Sequence, residues 1–492
     1  MKSRGETSMP AANLTQAKKP PTIAIIGGGF TGAAVAWNLA RKTQPGHVRI
    51  VIYEPRARLG GGLAYDTADP AHRINVPADR MSLDPDEPLD FLDWVGKHRL
   101  GEEDRQAALD DGRIFPRRRD FGAYIASKLA PYLANGRIEH VKSDVVSLDP
   151  STRGWRLTQA DGTTLEADDV VIATSHPSPR PPKALAAILE GHPRFIPDAT
   201  VPDALNVIRP DDAVLIVGNG LTGADIAASL LARNHQGPIT SISRRGLRSR
   251  GHAGTVQEPY GDFIDPPSRS IRHLTRRIRE QINHAAAEGI SWHAVLDAVR
   301  AQAQEIWGAL PLDERRRLVR HLRPFWDVHR FRIAPQVEGA INQAISRGQM
   351  EILAASVQTV SYDGSKIRVS LRLARSTEKV SCVVDAVVIA TGPAHGAIID
   401  NQPYLRNLAL KGLIGLDPTG LGLHCDRQSR LLDQHGAVTP GLLVAGPLAR
   451  GTFGELMGLP QVAHHARDIA DHLYARLEEA HRDAPVTAED AA

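Results

Sequence analysis

The sequence predicts an α/β protein with two domains of similar plan, and two repeated features predict this class. A strand, a glycine turn and a helix follow one another in "IAIIGGGFTGAAVA" at 23–36 and again in "VLIVGNGLTGADIA" at 214–227. A strand ending in Ala-Thr occurs as "DDVVIATSHP" at 168–177 and as "DAVVIATGPA" at 385–394. Hairpin-like alternating segments precede both of these strands. The 492-residue chain has room for two or three domains.

The composition excludes several function classes. The net charge of +3 is small for this length and does not point to a nucleic-acid or membrane partner. The two cysteines, Cys382 and Cys425, lie far apart, so they form neither a disulfide framework nor a zinc motif, and we expect no metal. There is no apolar run of membrane-spanning length and no signal peptide at the start. We therefore expect a cytoplasmic protein.

The first glycine turn has the spacing of a dinucleotide-binding loop. Gly27, Gly29 and Gly32 form G-x-G-x-x-G directly after a strand, where the following helix start offers free N–H groups to a pyrophosphate. The next strand ends at Glu54, where a carboxylate can accept hydrogen bonds from ribose hydroxyls. The glycine-rich segment "LGGGLAYD" at 59–66 then favours FAD, or else is a flexible loop. The expected FAD-binding residues are Gly27, Gly28, Gly29, Thr31, Gly32, Glu54, Gly61 and Gly62.

The second glycine turn repeats the spacing with a different following strand. That strand, "ITSISRRG" at 239–246, carries no acidic residue at its end. Arginines at this place suit the 2′-phosphate of NADP, unless they simply point to solvent. We therefore expect NADPH here, with NADH less favoured. The expected binding residues are Gly218, Gly220, Thr222, Gly223, Ser243, Arg244 and Arg245, with Arg248 and Arg250 as further candidates.

Two Rossmann-like dinucleotide-binding domains follow from these motifs. The FAD domain is expected to be discontinuous, over 21–205 and 394–480, with a final helix from about 455 to 480. The NAD(P) domain is expected to be inserted at 206–393 and to contain a helical insertion at 255–340. Residues 1–20 and 481–492 are expected to be disordered.

The helical insertion carries an apolar face and a basic cluster. Ile271, Leu274, Ile278 and Ile282 fall on one helix face. The arginines nearby either form a solvated face or a wall that attracts an anionic substrate. They are Arg272, Arg276, Arg277 and Arg279.

Longer strings resemble a known family. "GGGLAYDTADPAHRINVPADRMSL" at 60–83, "FPRRRDFGAYI" at 115–125, "SRRGL" at 243–247 and "FWDVHRFRIAP" at 325–335 look like the bacterial FAD/NAD(P)-binding proteins. That family is mostly uncharacterised and is related to N-hydroxylating flavin monooxygenases, including L-aspartate N-monooxygenase, which forms nitrosuccinate. The first domain departs from the family pattern, because Ser175 and His176 follow Ala-Thr where a glycine is common.

The resemblance implies where the chemistry would lie. Asn75 and Arg80 would lie close to the flavin ring, or else brace a loop. The segment 446–461, starting at Gly446, would pass the flavin, with a helix start after Gly454 pointing at it and Glu455 in the first helical turn. In "DVHRFRI", His329, Arg330 and Arg332 come together, and Arg330 either binds a substrate carboxylate or forms a structural ion pair. The weak catalytic candidates are therefore Asn75, Arg80 and Arg330.

Together these expectations describe an FAD-dependent, NADPH-using monooxygenase. A flavin C4a-hydroperoxide would hydroxylate an amine of a small amino-acid-like substrate, with aspartate-like compounds included and O2 as oxidant. One alternative is an NAD(P)H-dependent flavin reductase of a quinone or carrier. Another is a non-catalytic flavin-binding redox sensor or interaction protein. The sequence leaves the oligomeric state open.

The choice of nicotinamide gives the first test. The changes Arg244→Ala and Arg245→Ala remove the positive charges expected to hold the 2′-phosphate, so they should shift the preference from NADPH toward NADH. The ratio of kcat/KM for the two coenzymes measures this shift. An unchanged ratio would refute the assignment.

Overall fold

The computed structural model describes residues 19–392 and 397–482. Its strands are β1 Thr22–Ile26, β2 Arg49–Tyr53, β3 Ile138–Val141, β4 Val145–Ser151, β5 Gly154–Gln159, β6 Thr164–Ala167, β7 Asp169–Ile172, β8 Phe195–Ile196, β9 Val214–Val217, β10 Ile239–Ser243, β11 Met350–Tyr362, β12 Ile367–Leu373, β13 Lys379–Val384, β14 Ala386–Ile389, β15 Arg430–Leu432 and β16 Val438–Val444. Its helices are α1 Phe30–Lys42, α2 Gly62–Tyr65, α3 Asp90–Lys97, α4 Leu100–Glu103, α5 Arg118–Ala134, α6 Lys183–Leu189, α7 Leu221–Ala232, α8 Ile271–Ala287, α9 Trp292–Ala301, α10 Ala303–Ala309, α11 Leu312–Arg317, α12 Arg323–Arg330, α13 Pro335–Ser346, α14 Ile398–Asn401, α15 Pro403–Leu410, α16 Arg450–Phe453 and α17 Gln461–Arg482.

The first sheet joins the two ends of the described chain. Its strand order is β15-β16-β7-β1-β2-β3, and β16 pairs in parallel with β7. The strand β1 is buried along its whole length, as expected for a parallel strand covered on both faces. Helix α17 packs against α1 on this sheet. Strand β16 and helix α17 therefore return from the end of the chain to complete the domain that β1 begins.

The second sheet lies between these two parts of the sequence. Its order is β13-β12-β11-β10-β9-β14-β8, and β9 pairs in parallel with both β10 and β14. A separate antiparallel sheet, β4-β5-β6, precedes β7, and an antiparallel β11-β12-β13 meander precedes β14. The predicted α/β fold with two similar parallel-sheet domains is confirmed. The domain boundaries given above stay a prediction.

The helical insertion has a small core of its own. Ile271 and Leu274 are buried there, and Ile278 and Ile282 pack against them, so the four residues share the apolar face of α8 that their spacing predicts. Helix α13 extends past the expected end at 340 because its buried face packs against α7 of the second domain. A π-helical turn at Leu318–Leu322 separates α11 from α12.

The predicted start of the last helix is wrong, and the predicted domain bounds stay predictions. The helix expected to start directly after Gly454 starts later. The segment from Gly454 to Pro460 is irregular, and α17 begins at Gln461. The last helix also continues to Arg482, past the expected start of a disordered tail at 481. The described residues do not include 1–18, 393–396 and 483–492. Most of both expected disordered ends and the expected domain boundary at 393–394 fall in these ranges, so they cannot be compared. In the described chain, no helix combines the length and apolar character of a membrane span.

The second glycine loop offers a matched pair of substitutions. A methyl group at Gly223 would lie 2.1 Å from the Gly218 backbone oxygen, whereas one at Gly220 meets nothing within 4 Å. Gly223→Ala should therefore lower stability by roughly 1–3 kcal/mol, the usual cost of overpacking. Gly220→Ala should leave the stability of the cofactor-free protein unchanged. Urea denaturation of both variants measures this difference, and equal stabilities would contradict the packing argument.

Candidate functional site

The first glycine loop is closed by contacts that only glycine permits. Gly27 has φ +104°, and a methyl group there would lie 2.6 Å from the Ala173 backbone oxygen. A methyl group at Gly32 would lie 1.9 Å from the Gly27 oxygen. Helix α1 consequently starts directly at the carboxyl end of β1, with Gly29 as its N-cap. This geometry leaves the first N–H groups of α1 available to an anion.

Glu54 braces this loop in the described structure. Its Oε2 accepts a hydrogen bond from the Gly28 N–H at 3.0 Å, and its Oε1 accepts from the backbone N–H and the Nη1 of Arg56, both at 3.1 Å. The carboxylate is almost fully buried. Binding of a ribose by Glu54 stays a prediction, and the structure adds a role in holding Gly28.

The glycine-rich segment after Glu54 is packed against the first loop. The Gly60 N–H donates to the Gly28 backbone oxygen at 2.7 Å, and a methyl group at Gly60 would lie 2.2 Å from Ile125 Cγ2. Gly61 also has little space, since a methyl group added there would lie 2.9 Å from Asp66 Cβ. Gly62 begins helix α2 beside Gly29. This segment is therefore a fixed part of the loop, which argues against the flexible-loop interpretation.

Gly446 meets the first glycine loop from the other end of the chain. A methyl group there would lie 2.6 Å from Thr31 Oγ1, so two residues predicted independently are in contact. The Gly446 N–H donates to His465 Nδ1 at 3.1 Å, and His465 Nε2 lies 2.8 Å from Ser429 Oγ. Since Nδ1 accepts, Nε2 carries the proton and donates to Ser429, and the imidazole is neutral. Burial lowers the pKa of His465 to about 4.

The second glycine loop repeats this construction. Gly218 has φ +128°, and a methyl group there would lie 2.0 Å from the Ala390 oxygen at the end of β14. The loop leads into α7, whose N-cap is Gly220. Asn219 Nδ2 donates to Ser243 Oγ at 3.1 Å and so ties the loop to the end of β10. Arg245 lies over the Phe325 ring, 5.3 Å from its centroid.

A cleft of about 1090 Å³ opens between the second sheet, the helical insertion and the segment 74–81. It lies at the carboxyl ends of β9, β10 and β14, where ligands bind in open parallel sheets. The sequence-predicted residues that line it are Asn75, Arg80, Gly218, Gly220, Thr222, Ser243, Arg244, Arg245, Arg330 and Arg332. The predicted residues that are not part of its lining are Gly27, Gly28, Gly29, Thr31, Gly32, Glu54, Gly61, Gly62, Gly223, Arg248, Arg250, His329 and Gly446.

Two of the predicted positions have other contacts in the structure. Arg248 Nη2 donates to Asn342 Oδ1 on α13 at 2.7 Å, and Arg250 pairs through its backbone with Val328 and Ile333. Asn75 lies in the wall of the cleft, where its Oδ1 accepts from the Ala334 N–H at 3.3 Å. Its backbone oxygen lies 3.0 Å from His252 Nε2. Asn75 thus both braces its loop and faces the cleft, while Arg80 is an exposed part of the lining.

Glu455 and Arg330 form a buried ion pair in the structure. Glu455 lies in an irregular segment rather than a first helical turn, and its Oε1 accepts from Arg330 Nε at 2.9 Å and Nη2 at 2.6 Å. Both side chains are buried. Arg332 forms a second ion pair, with Asp297, at 2.9 Å. Arg330 and Arg332 therefore each form an ion pair, while binding of a substrate carboxylate by Arg330 stays a prediction. The His329 side chain is half-buried.

Half of the arginines that line the cleft were missed from the sequence. We define the arginine cluster as five arginines with three carboxylates, which leaves an excess of two positive charges. Three of its members, Arg323, Asp327 and Arg330, lie on α12. The π-helical turn directly before α12 determines which side of the helix these residues occupy. The members are Arg300, Arg323, Arg330, Arg332, Arg450, Asp297, Asp327 and Glu455.

Within this cluster Arg300 lacks a carboxylate in contact. Its Nη2 donates to the Leu459 oxygen and to Gln461 Oε1, and its buried Nε has no hydrogen-bond partner among the described residues. Burial, with a smaller contribution from the charge of Arg330, lowers the pKa of Arg300 to about 9. Burial likewise raises the pKa of the Asp327 carboxyl, against the opposing effect of Arg450. Both shifts have burial as their main cause, and the contacts of Arg300 leave its charge without a neighbouring carboxylate.

His176 lies close to the same cluster. Burial, with smaller contributions from the neighbouring charges of Arg450 and Arg323, lowers its pKa to about 4. This residue is the family departure noted in the sequence, and it is not part of the cleft lining. In the described part of the chain, no group of histidine, cysteine or acidic side chains is arranged to hold a metal ion.

Comparison with known proteins agrees with this architecture. Residues 24–177 match a family model described as FAD-NAD(P)-binding. The ornithine hydroxylase of Pseudomonas aeruginosa aligns with a TM-score of 0.64 at 17% identity, covering 93% of this chain and 100% of that one. The chain has the fold of an N-hydroxylating flavin monooxygenase. The sequence resemblance to FAD/NAD(P)-binding proteins is thereby confirmed at the level of the fold.

Two further structures share this flavin-monooxygenase fold. The L-lysine 6-monooxygenase of Pseudomonas syringae gives a TM-score of 0.60 at 18% identity, covering 94% of this chain and 99% of that one. The cadaverine monooxygenase of Erwinia amylovora, solved with FAD, gives 0.63 at 13% identity, covering 93% and 94%. No curated protein sequence matches the chain.

The buried His465 predicts how stability depends on pH. Its pKa is about 4 in the folded state against 6.5 for an ordinary histidine, so the unfolded chain binds a proton first as the pH falls. The stabilisation is complete above pH 6.5 and is lost toward pH 4, by roughly 1.4 kcal/mol per pH unit. In His465→Gln, the free energy of unfolding measured with urea should fall less steeply between pH 6.5 and pH 4 than in the wild type. Parallel pH profiles for the two proteins would contradict the assignment.

Proposed function

We propose that this protein is an FAD-dependent, NADPH-using monooxygenase that hydroxylates the amine of a small amino acid with an acidic side chain. The observation that carries the proposal is the pair of glycine loops with the arginine-lined cleft beside the second one. A sensor would need only one nucleotide loop. The ornithine, lysine and cadaverine enzymes with this fold support oxidation of an amine.

The residues present fit both cofactors. The start of α1 with Gly29, closed off by Gly60 and Gly446, would hold the FAD pyrophosphate. The start of α7 would hold the NADPH pyrophosphate, and Arg244 and Arg245 would hold its 2′-phosphate. When bound, these two cofactors supply hydride transfer and the activation of O2.

The side chains of the cleft define what the protein itself contributes. Asn75 and the segment 74–81 form the wall between the two loops and limit the entry of water. The arginine cluster binds and orients an anionic substrate, with Arg300 as the arginine whose charge has no carboxylate in contact. No protein nucleophile is required for such a reaction.

Charge selects among amine substrates. An excess of two positive charges in a partly buried wall repels a second ammonium group and attracts two carboxylates. Ornithine, lysine and cadaverine carry a second amine and would be disfavoured here. A compound with one amine and two carboxylates, such as aspartate, matches the excess charge.

The direct test is NADPH-dependent O2 uptake by the purified protein with acidic amino acids, compared with diamines and basic amino acids. We expect uptake stimulated by the acidic compounds, with a hydroxylated amine as product and little H2O2 released. Stimulation by a quinone or a carrier protein with no oxygenated product would favour the reductase. Bound FAD with no NADPH oxidation under any condition would favour the sensor.

Arg300→Met tests substrate binding by the arginine cluster. Losing a charge-assisted contact to a carboxylate costs about 2–3 kcal/mol, so kcat/KM for the acidic substrate should fall roughly 10²-fold. The flavin content of the purified variant shows whether it is folded. Arg320→Met removes an exposed arginine outside the cleft and should leave kcat/KM unchanged. Equal kcat/KM values for the two variants would show that Arg300 does not bind the substrate.

A further inference from the structure

One face of helix α7 is occupied by contacts to the first domain. Asp225, Ser229 and Arg233 are spaced four residues apart and so lie above one another on the same side of the helix. All three contact residues of the first domain. Ser229 is fully buried in this contact.

The three contacts are polar and specific. Arg118 Nη2 lies 3.0 Å and 2.8 Å from the two carboxylate oxygens of Asp225. Ser229 Oγ lies 3.2 Å from His72 Nε2. Arg233 Nη2 lies 3.2 Å from Asp69 Oδ2.

Two of these partners, Asp69 and His72, belong to a loop, residues 67–73, and the third, Arg118, is the first residue of α5. The loop is held by hydrogen bonds of its own. Thr67 Oγ1 lies 3.0 Å from His72 Nδ1, and Asp69 Oδ1 accepts from the Ala71 N–H at 2.9 Å. Arg118 Nε donates to the Arg73 oxygen at 2.8 Å. Loop 67–73 therefore has little freedom to adapt if α7 moves.

The loop and the helix connect the two glycine loops by a short path. At one end, α2 precedes loop 67–73 and packs against Gly29 of the first glycine loop. At the other end, α7 begins directly at Gly220 of the second glycine loop. The docking of loop 67–73 onto α7 therefore connects the two glycine loops by a short series of contacts.

We propose that the docking of loop 67–73 onto α7 is a positioning device that sets the distance between the nicotinamide and the flavin. This inference rests on the proposed function, because it assigns a role in hydride transfer. Transfer requires reacting atoms about 3–3.5 Å apart, and a misplacement of about 1 Å can cost 10²-fold in rate. Asp69, His72, Ser229 and Arg233 act through the position of α7 and lie outside the lining of the cleft.

The test is a charge reversal with a designed rescue. Arg233→Asp places a carboxylate opposite Asp69 and should push loop and helix apart. Adding Asp69→Asn removes the repulsion, keeps an oxygen for the Ala71 N–H, and offers an amide donor to the introduced carboxylate. The matched control is Arg347→Asp, the same charge change at the exposed C-cap of α13 in the same domain.

The main measurement is the rate constant for flavin reduction by saturating NADPH in anaerobic stopped flow. We expect a fall of about tenfold in Arg233→Asp, recovery to within about threefold in the double variant, and no change in Arg347→Asp. Hydrogen exchange should accelerate at 67–75 and 221–233 in Arg233→Asp alone. Flavin content should stay the same in all of these proteins.

Two results separate the inference from the proposed function. If the wild-type flavin is reduced by NADPH but Arg233→Asp matches Arg347→Asp in both rate and exchange, the positioning role is wrong and the function stands. The same conclusion follows if Arg233→Asp is slow and the double variant does not recover. If NADPH never reduces the wild-type flavin, the proposed function is wrong, and hydrogen exchange alone then decides whether the loop is docked onto α7.

Discussion

The structure depends on the close approach of a helix start to the backbone of a preceding strand, which occurs twice. At Gly32 and Gly223 a single added carbon would lie about 2 Å from the oxygen of the first glycine in the same loop. No side chain fits in that space, and only this spacing lets each helix begin at the carboxyl end of its strand. Both cofactor sites, and the cleft beside the second one, follow from this constraint.

The two glycine loops differ in the charged side chains around them. At the first loop, the buried Glu54 accepts hydrogen bonds from Gly28 and Arg56, and His465 is held neutral behind Gly446. The cleft beside the second loop is lined by the five arginines of the cluster, which come from three stretches of the chain: α9, α12 with the residues directly after it, and α16.

Sequence reasoning predicted the parts of this architecture that depend on local patterns. Glycine spacing and apolar strands predicted both loops and the fold, because these features are encoded within about fifteen residues. Arg300 and Arg450 were missed because they come from distant segments and meet only in the fold. Glu455 was placed wrongly in a helix, although Pro460 directly before α17 gives a signal for the later start. The π-helical turn at 318–322 sets which side of α12 faces the cleft, and hydrophobic periodicity does not detect it.

The central claim is that one chain holds a flavin and a nicotinamide so that a hydride passes between them. Anaerobic titration of the purified, FAD-loaded protein with NADPH measures this most directly. The account predicts that the bound flavin is bleached completely by one equivalent of NADPH per chain. A protein that takes up no FAD, or a bound flavin that stays oxidised in excess NADPH, would contradict it.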